Sequence, residues 1–168
     1  MVNGFKAFNE DMTNRYGQKF EEGKIYQIPK GTELSTGNNG TGIHFSPNLE
    51  DCFHFVDAIN SPCKVARVSA LGRVLTFNDS FEYYGFYDLS ATDKLRIDHI
   101  MTREEIMDHM LTTPGANLLT FIRDYKLEDE EARRILETFP NNHQIALAIN
   151  YYHNGDKETY FKYYGVKR

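Results

Sequence analysis

Hydrophobic positions in the first hundred residues fall in short runs broken by Gly, Pro and Asn, and beyond residue 100 they recur at helical spacing. Phe5–Phe8, Lys24–Ile28, Gly42–Phe45, Lys64–Ala70, Arg73–Phe77 and Lys94–Ile100 read as strands, because aromatic and β-branched residues bounded by turn formers fit a pleated, half-buried surface. Between the third and fourth runs, Ser46-Pro47-Asn48-Leu49-Glu50-Asp51 predicts a helix start. Ser can cap, Pro suits the first helical position, and the acids meet the positive end of the helix dipole. Leu49, Cys52, Phe53 and Val56 then fall at i, i+3, i+4 and i+7, one apolar stripe facing a sheet, and Asn60-Ser61-Pro62 ends the element.

After residue 100, Thr102-Arg103-Glu104-Glu105 is a capping box for a helix to about Leu111, stopped by Thr113-Pro114-Gly115. Helices are predicted over Ala116–Tyr125, Glu128–Thr138, Asn142–His153 and Asp156–Tyr164, with the tyrosines of the tail buried between the last two. The expected fold is α+β: a small mixed or antiparallel sheet domain over 1–112 with one marked helix, then an all-helical subdomain over 113–168. A doubly wound parallel sheet is excluded, since the helices between strands are missing.

Charge narrows the partners. The 168 residues carry 19 Lys+Arg against 24 Asp+Glu, a net charge of −5, the wrong sign for coating nucleic acid. The excess is confined to residues 1–112, with 11 basic and 16 acidic residues. Hydrophobic residues at 40% and charged residues at 26% place the chain among folded globular proteins. With no long apolar run and no basic leader before an apolar core, a cytoplasmic location is expected and no membrane partner. Cys52 and Cys63 read as buried thiols, without metal-ligand spacing around them.

Candidate chemistry concentrates in Gly40–Phe55, where a Gly- and Asn-rich loop over 37–42, long enough for a lid, leads into the His44 strand and the helix start. Neither GxxxxGK[ST] nor GxGxxG occurs. His44 and His54 could form a general acid/base pair for RNA cleavage. Phe81-Glu82-Tyr83-Tyr84-Gly85-Phe86-Tyr87 packs five aromatics into seven residues without a clean period, which fits either a core edge or a partner-binding patch.

The segments Gly4-Phe5-Lys6-Ala7-Phe8-Asn9, Glu22-Gly23-Lys24-Ile25-Tyr26, Gly42-Ile43-His44-Phe45 and Val65-Ala66-Arg67-Val68-Ser69-Ala70-Leu71-Gly72 resemble a small uncharacterised family of phages and other bacterial mobile elements. More distantly, the Gly42-Ile43-His44-Phe45 strand before a helix resembles ADP-ribosyltransferases. That likeness implies an NAD cleft against Lys6, Tyr26, His44, Ser46 and Asn48, with Asp98 of the Lys94–His99 strand where the family has its catalytic Glu. Lys6 or Asn9 stands where the family has His or Arg, and Asp98 is a carboxylate shorter by one methylene, departures that fit loss of NAD chemistry.

The leading expectation is therefore a protein that binds and modulates a host macromolecule, a protein or ribonucleoprotein with a basic surface, in the manner of an anti-CRISPR inhibitor and without a cofactor. Glu50, Asp51, Asp57, Phe81, Glu82, Tyr83, Tyr84, Phe86, Tyr87 and Asp88 would carry its contacts. An NAD-dependent transferase using His44 and Asp98 is the alternative, and the RNA-cleaving His44/His54 pair a third reading.

Overall fold

Among the described residues, seven strands form two antiparallel sheets and four helices follow them. The structure, a computed structural model, describes residues 1–35, 40–81 and 85–158. The strands are β1 (Val2–Asn9), β2 (Ile25–Gln27), β3 (Ile43–Phe45), β4 (Cys63–Ala70), β5 (Val74–Phe81), β6 (Gly85–Thr92) and β7 (Lys94–Ile100). One sheet has the order β1-β4-β7-β2 and the other β3-β6-β5. The mixed α+β class read from the sequence is the class observed.

A single bent ribbon builds most of both sheets. β4 pairs with β7 and β5 with β6, so the chain from Cys63 to Ile100 is one long hairpin that turns a corner at Leu71–Arg73 and Asp93. Asp93 holds this corner by accepting from the Arg73 backbone N–H and from Arg73 Nε, both at 2.8 Å, while Arg73 Nη2 donates to the Thr32 carbonyl at 2.7 Å. Gly72 is required here, because a Cβ would lie 1.9 Å from the Asp93 carboxylate.

The sheets face each other across Phe8, Phe20, Ile43, Phe45, Val68, Leu95 and Ile97. They join where Phe5 and Ser46 exchange backbone hydrogen bonds of 2.7 and 2.8 Å. Only a glycine permits that approach, since a Cβ on Gly4 would meet the Ser46 carbonyl oxygen at 2.4 Å. Beyond this junction β1 and β3 part, leaving a split between the sheets.

β6 is the strand that the sequence reading lacks. Tyr87, Leu89 and Ala91 alternate with Asp88, Ser90 and Thr92 as a strand requires, and Ser90 and Thr92 of the polar face are buried too. The segment after Ser46 also differs from expectation. It is a short 3₁₀ helix over Glu50–Phe55, preceded by Leu49, with no side-chain cap. Ser46 does not cap it: its hydroxyl accepts from the Asn48 N–H at 3.1 Å and donates to the Asp88 carbonyl at 2.7 Å, tying it to β6. The expected stripe survives in the tighter helix, with Leu49, Cys52 and Phe53 buried.

The helices are α1 (Arg103–Thr112), α2 (Leu118–Asp124), α3 (Asp129–Thr138) and α4 (His143–Ala148), the last continuing through a wider turn over Ile149–His153. The capping box of Thr102 and Glu105 is present, and Asn117 and Asn142 cap α2 and α4 through their side chains. Apolar residues of these helices pack directly on Phe5, Ala7 and Val65, the face of the four-stranded sheet turned away from the split, so one core runs across residue 113. The segment after Glu158, with the tail aromatics Tyr160, Phe161, Tyr163 and Tyr164, lies outside the described residues.

Candidate functional site

β1 alternates, and its two faces meet different surroundings. Phe5 and Ala7 join the helix-facing core, while Phe8 joins the core between the sheets with Lys6 on the same side. A lysine there is unusual. Its side chain crosses the split, and Nζ donates to the His44 carbonyl at 2.6 Å, supplying a donor to β3 on its unpaired edge. The ammonium lies 5.5, 5.7 and 5.9 Å from the ring centres of Phe8, Phe20 and Phe55, inside cation–π range.

Lys6 is 6% exposed, and among the described residues no carboxylate pairs with it. Burial is the main reason that its pKa falls from 10.5 to about 8, the nearby Arg15 charge adding to the effect and the Cys52 thiol opposing it. His44 stands beside it on β3, packed against Phe55 at 5.6 Å and edge-on to Phe77 at 6.2 Å. Desolvation first, and the Lys6 charge second, hold its pKa below the usual histidine value. Its Nε2 is buried without a hydrogen-bond partner among the described residues.

A cavity of about 170 Å³ opens against this pair. Its other walls come from the loop between β1 and β2, which carries Asn14, Arg15, Tyr16 and Gln18, and from Phe20, Phe55 and the Gly40–Ile43 strand entry. That loop is shaped locally. Met12 takes a left-handed conformation at φ 65° with its side chain buried, and the Asn14 carboxamide oxygen accepts from the backbone of both Tyr16 and Gln18 at 3.0 Å. The Arg15 guanidinium lies 4.9 Å from the centre of the Tyr16 ring. Among the described residues no acidic side chain lines the cavity, and Lys6 and Arg15 are its charged groups. A cleft of about 640 Å³ among the helices is larger, but no titratable side chain lines it.

The residues singled out by the sequence scatter. Lys6 and His44 come together, but Tyr26 packs behind Phe20 at 4.6 Å with its hydroxyl accepting from the Glu21 N–H. Ser46 and Asn48 brace β6, the Asn48 amide donating to Asp51 and Asp88. Asp98 cannot face His44: it lies on the other side of its sheet from Leu95 and Ile97, bonded to Ser69 and Arg96. His44 and His54 do not form a pair, because each packs on the Phe55 ring and they open onto different cavities.

Several intended contact residues are internal braces. Glu50 is 5% exposed and accepts from the Asn117 N–H at 2.9 Å, which ties the 3₁₀ helix to the start of α2. Asp51 accepts from the Asp88 N–H and from Asn48, and Asp88 from Asn78 and Asn48. Tyr87 is buried, its hydroxyl donating to Asp124 and accepting from Arg123. Asp57 is exposed and binds the Asn60 side chain and backbone. The side chains of Phe81, Glu82, Tyr83, Tyr84 and Phe86, and residues Gly37, Asn38 and Asn39 of the loop read as a lid, lie outside the described ones. Arg15, Tyr16, Phe20 and Phe55 were not marked as site residues; the only sequence signal is that Phe8 shares a face with Lys6.

Residues 2–81 match the family model of a domain of unknown function, DUF7666. The matched segment contains every residue lining the Lys6 cavity. It stops before β6 and β7, which complete both sheets, and before all four helices. Comparison with curated proteins and with solved structures gave no match. Among the described residues there is no cluster suited to a metal ion, and no helix is long and apolar enough to cross a membrane.

Proposed function

We propose that the chain binds a small anionic molecule, carboxylate- or phosphate-bearing, in the split between its sheets. One observation carries this reading: Lys6 is an ammonium removed from water with no carboxylate partner among the described residues, beside a cavity also lined by Arg15. Buried charges are normally paired, and a lone one is costly. An anion entering the cavity supplies the missing countercharge. The volume, equal to roughly five or six waters, suits a small molecule or one terminal group of a larger one. A whole dinucleotide is too large for it, and with Asp98 on the far side of its sheet a transferase reading lacks its carboxylate.

The test is thermal unfolding of the full chain with acetate, phosphate, pyrophosphate or NAD at millimolar concentration. Phosphate or acetate is expected to raise the melting temperature at pH 7 in the wild type and not in Lys6→Met. Failure of all small anions to shift it would end this reading, and a shift with NAD alone would restore the dinucleotide one.

Docking to a basic host macromolecule is a second reading, favoured by the net charge of −5. Its support among the described contact candidates narrows to Asp57, and its test is capture of one specific partner that an Asp57→Lys variant loses.

A further inference from the structure

Resting on the anion-binding reading, we infer that Lys6 is a carbonyl-capturing amine, and that the molecule held in the split is a small oxo acid condensing with Nζ to an imine. Three features point the same way. The amine sits in an aromatic slot of Phe8, Phe20 and Phe55, where burial makes the charged form costlier than in water and so raises the share of the neutral, nucleophilic form. A second cation, Arg15, lines the cavity and suits a carboxylate one or two bonds from the reacting carbon. His44 lines it too, with a buried Nε2 that has no hydrogen-bond partner among the described residues.

The chemistry balances without redox. The neutral amine adds its lone pair to the carbonyl carbon, the C=O π electrons move to oxygen, and a proton passes from nitrogen to that oxygen to give a carbinolamine. Protonation of the hydroxyl lets it leave as water while the nitrogen lone pair forms the C=N bond. His44, kept neutral near pH 7, is the group able to accept and return the proton. The imine nitrogen, once protonated, keeps a positive charge beside the bound carboxylate.

Reductive trapping tests this on the intact chain. The protein is incubated with glyoxylate or pyruvate and cyanoborohydride, and adducts on its ten lysines are located by peptide mass spectrometry. The expected result is labelling at Lys6 at least tenfold faster than at the exposed Lys24, saturating with oxo-acid concentration, suppressed by acetate and slowed in His44→Ala. Equal or slower labelling of Lys6 overturns the inference. A thermal shift with acetate but no Lys6 adduct sinks the imine and leaves anion binding standing; no shift and no adduct sinks both. Because the decisive comparison is between lysines of one wild-type protein, it does not depend on a variant folding.

Discussion

The two faces of β1 are built to opposite rules. On the helix side, Phe5 and Ala7 sit in a core whose polar neighbours are all answered: Glu50 by the Asn117 N–H, Asp51 by Asn48 and the Asp88 N–H, and Glu131 by Arg103 and the Glu128 N–H. One residue along, Lys6 enters the space between the sheets where, among the described residues, it has a single backbone acceptor and the nearby His44 Nε2 has no partner. Among the described residues the fold satisfies its carboxylates on one side and leaves a cation without a carboxylate next to a cavity on the other, and this contrast is what supports the proposed anion site in the split. Charge at the surface does not mark this site. Missing compensation inside does.

The largest expected effect is on the helix side. Phe121 is fully buried and stacked on Tyr125 with ring centres 4.9 Å apart, so Phe121→Ala should lose about 3–5 kcal/mol in urea unfolding. The same substitution should leave anion binding at Lys6 intact wherever the protein remains folded; coupled loss would show that the two faces do not act separately.

The split should respond to pH in a way the helix side does not. Lys6 titrates at 10.5 when unconstrained and at about 8 in the fold, so between those values the unfolded chain binds more protons. Stability therefore carries the full cost of the buried ammonium below pH 8 and recovers as pH rises toward 10.5, by on the order of 3 kcal/mol. Lys6→Met should lack this alkaline recovery, so the difference between the unfolding free energies of wild type and variant should change by that amount as pH rises from 7 to 10. A difference that stays flat with pH would contradict the buried, unpaired state of Lys6.

A smaller effect is expected at Glu50. Glu50→Ala leaves the Asn117 N–H without its acceptor and should cost about 1–3 kcal/mol, whereas Glu50→Gln, which keeps an oxygen in place, should cost far less. If both variants unfold alike in denaturant, the hydrogen bond is not what matters there.

The smallest effect belongs to His99, an exposed residue whose ring nitrogens meet Glu22 at 3.0 Å and Glu105 at 2.9 Å. Its hydrogen bond to Glu105 first, then the charges around it, raise its pKa above 6.5. A raised histidine contributes stability that is complete below 6.5 and lost as pH climbs past the folded value. NMR titration of the ring should show the raised midpoint in the wild type and a lower one in Glu105→Gln.

Elements with a clear local signature were legible in the sequence. The capping box at Thr102 and the acids opening α3 hold their helices as read, and six of the seven strands were recognised from short apolar runs. β6 went unrecognised although Tyr87, Leu89 and Ala91 alternate with Asp88, Ser90 and Thr92, because the small and polar residues of this segment have little β-branched character and it follows directly on the aromatic cluster of 81–87. The helix at Ser46 was misread for another reason: Ser46 and Asn48 have partners on β6, forty residues away, and those bonds outcompete capping. At the site, Lys6 and His44 were marked on resemblance, but nothing in the order of residues could bring Arg15, Phe20 and Phe55 to them or remove Asp98.

By itself, then, the chain's order of residues determined which segments are strands and helices wherever the deciding interactions lie within four residues, and it fixed the net acidity of the whole. Tertiary structure alone decided which charges are compensated. Glu50 and Asp51 look like surface acids in sequence and become buried braces, while Lys6, an ordinary lysine in a strand, becomes the one charge that the described interior does not answer with a carboxylate. Compensation depends on which groups meet across long separations in the chain, and those meetings are set by sheet order and by the close approach of β1 to β3 that Gly4 permits.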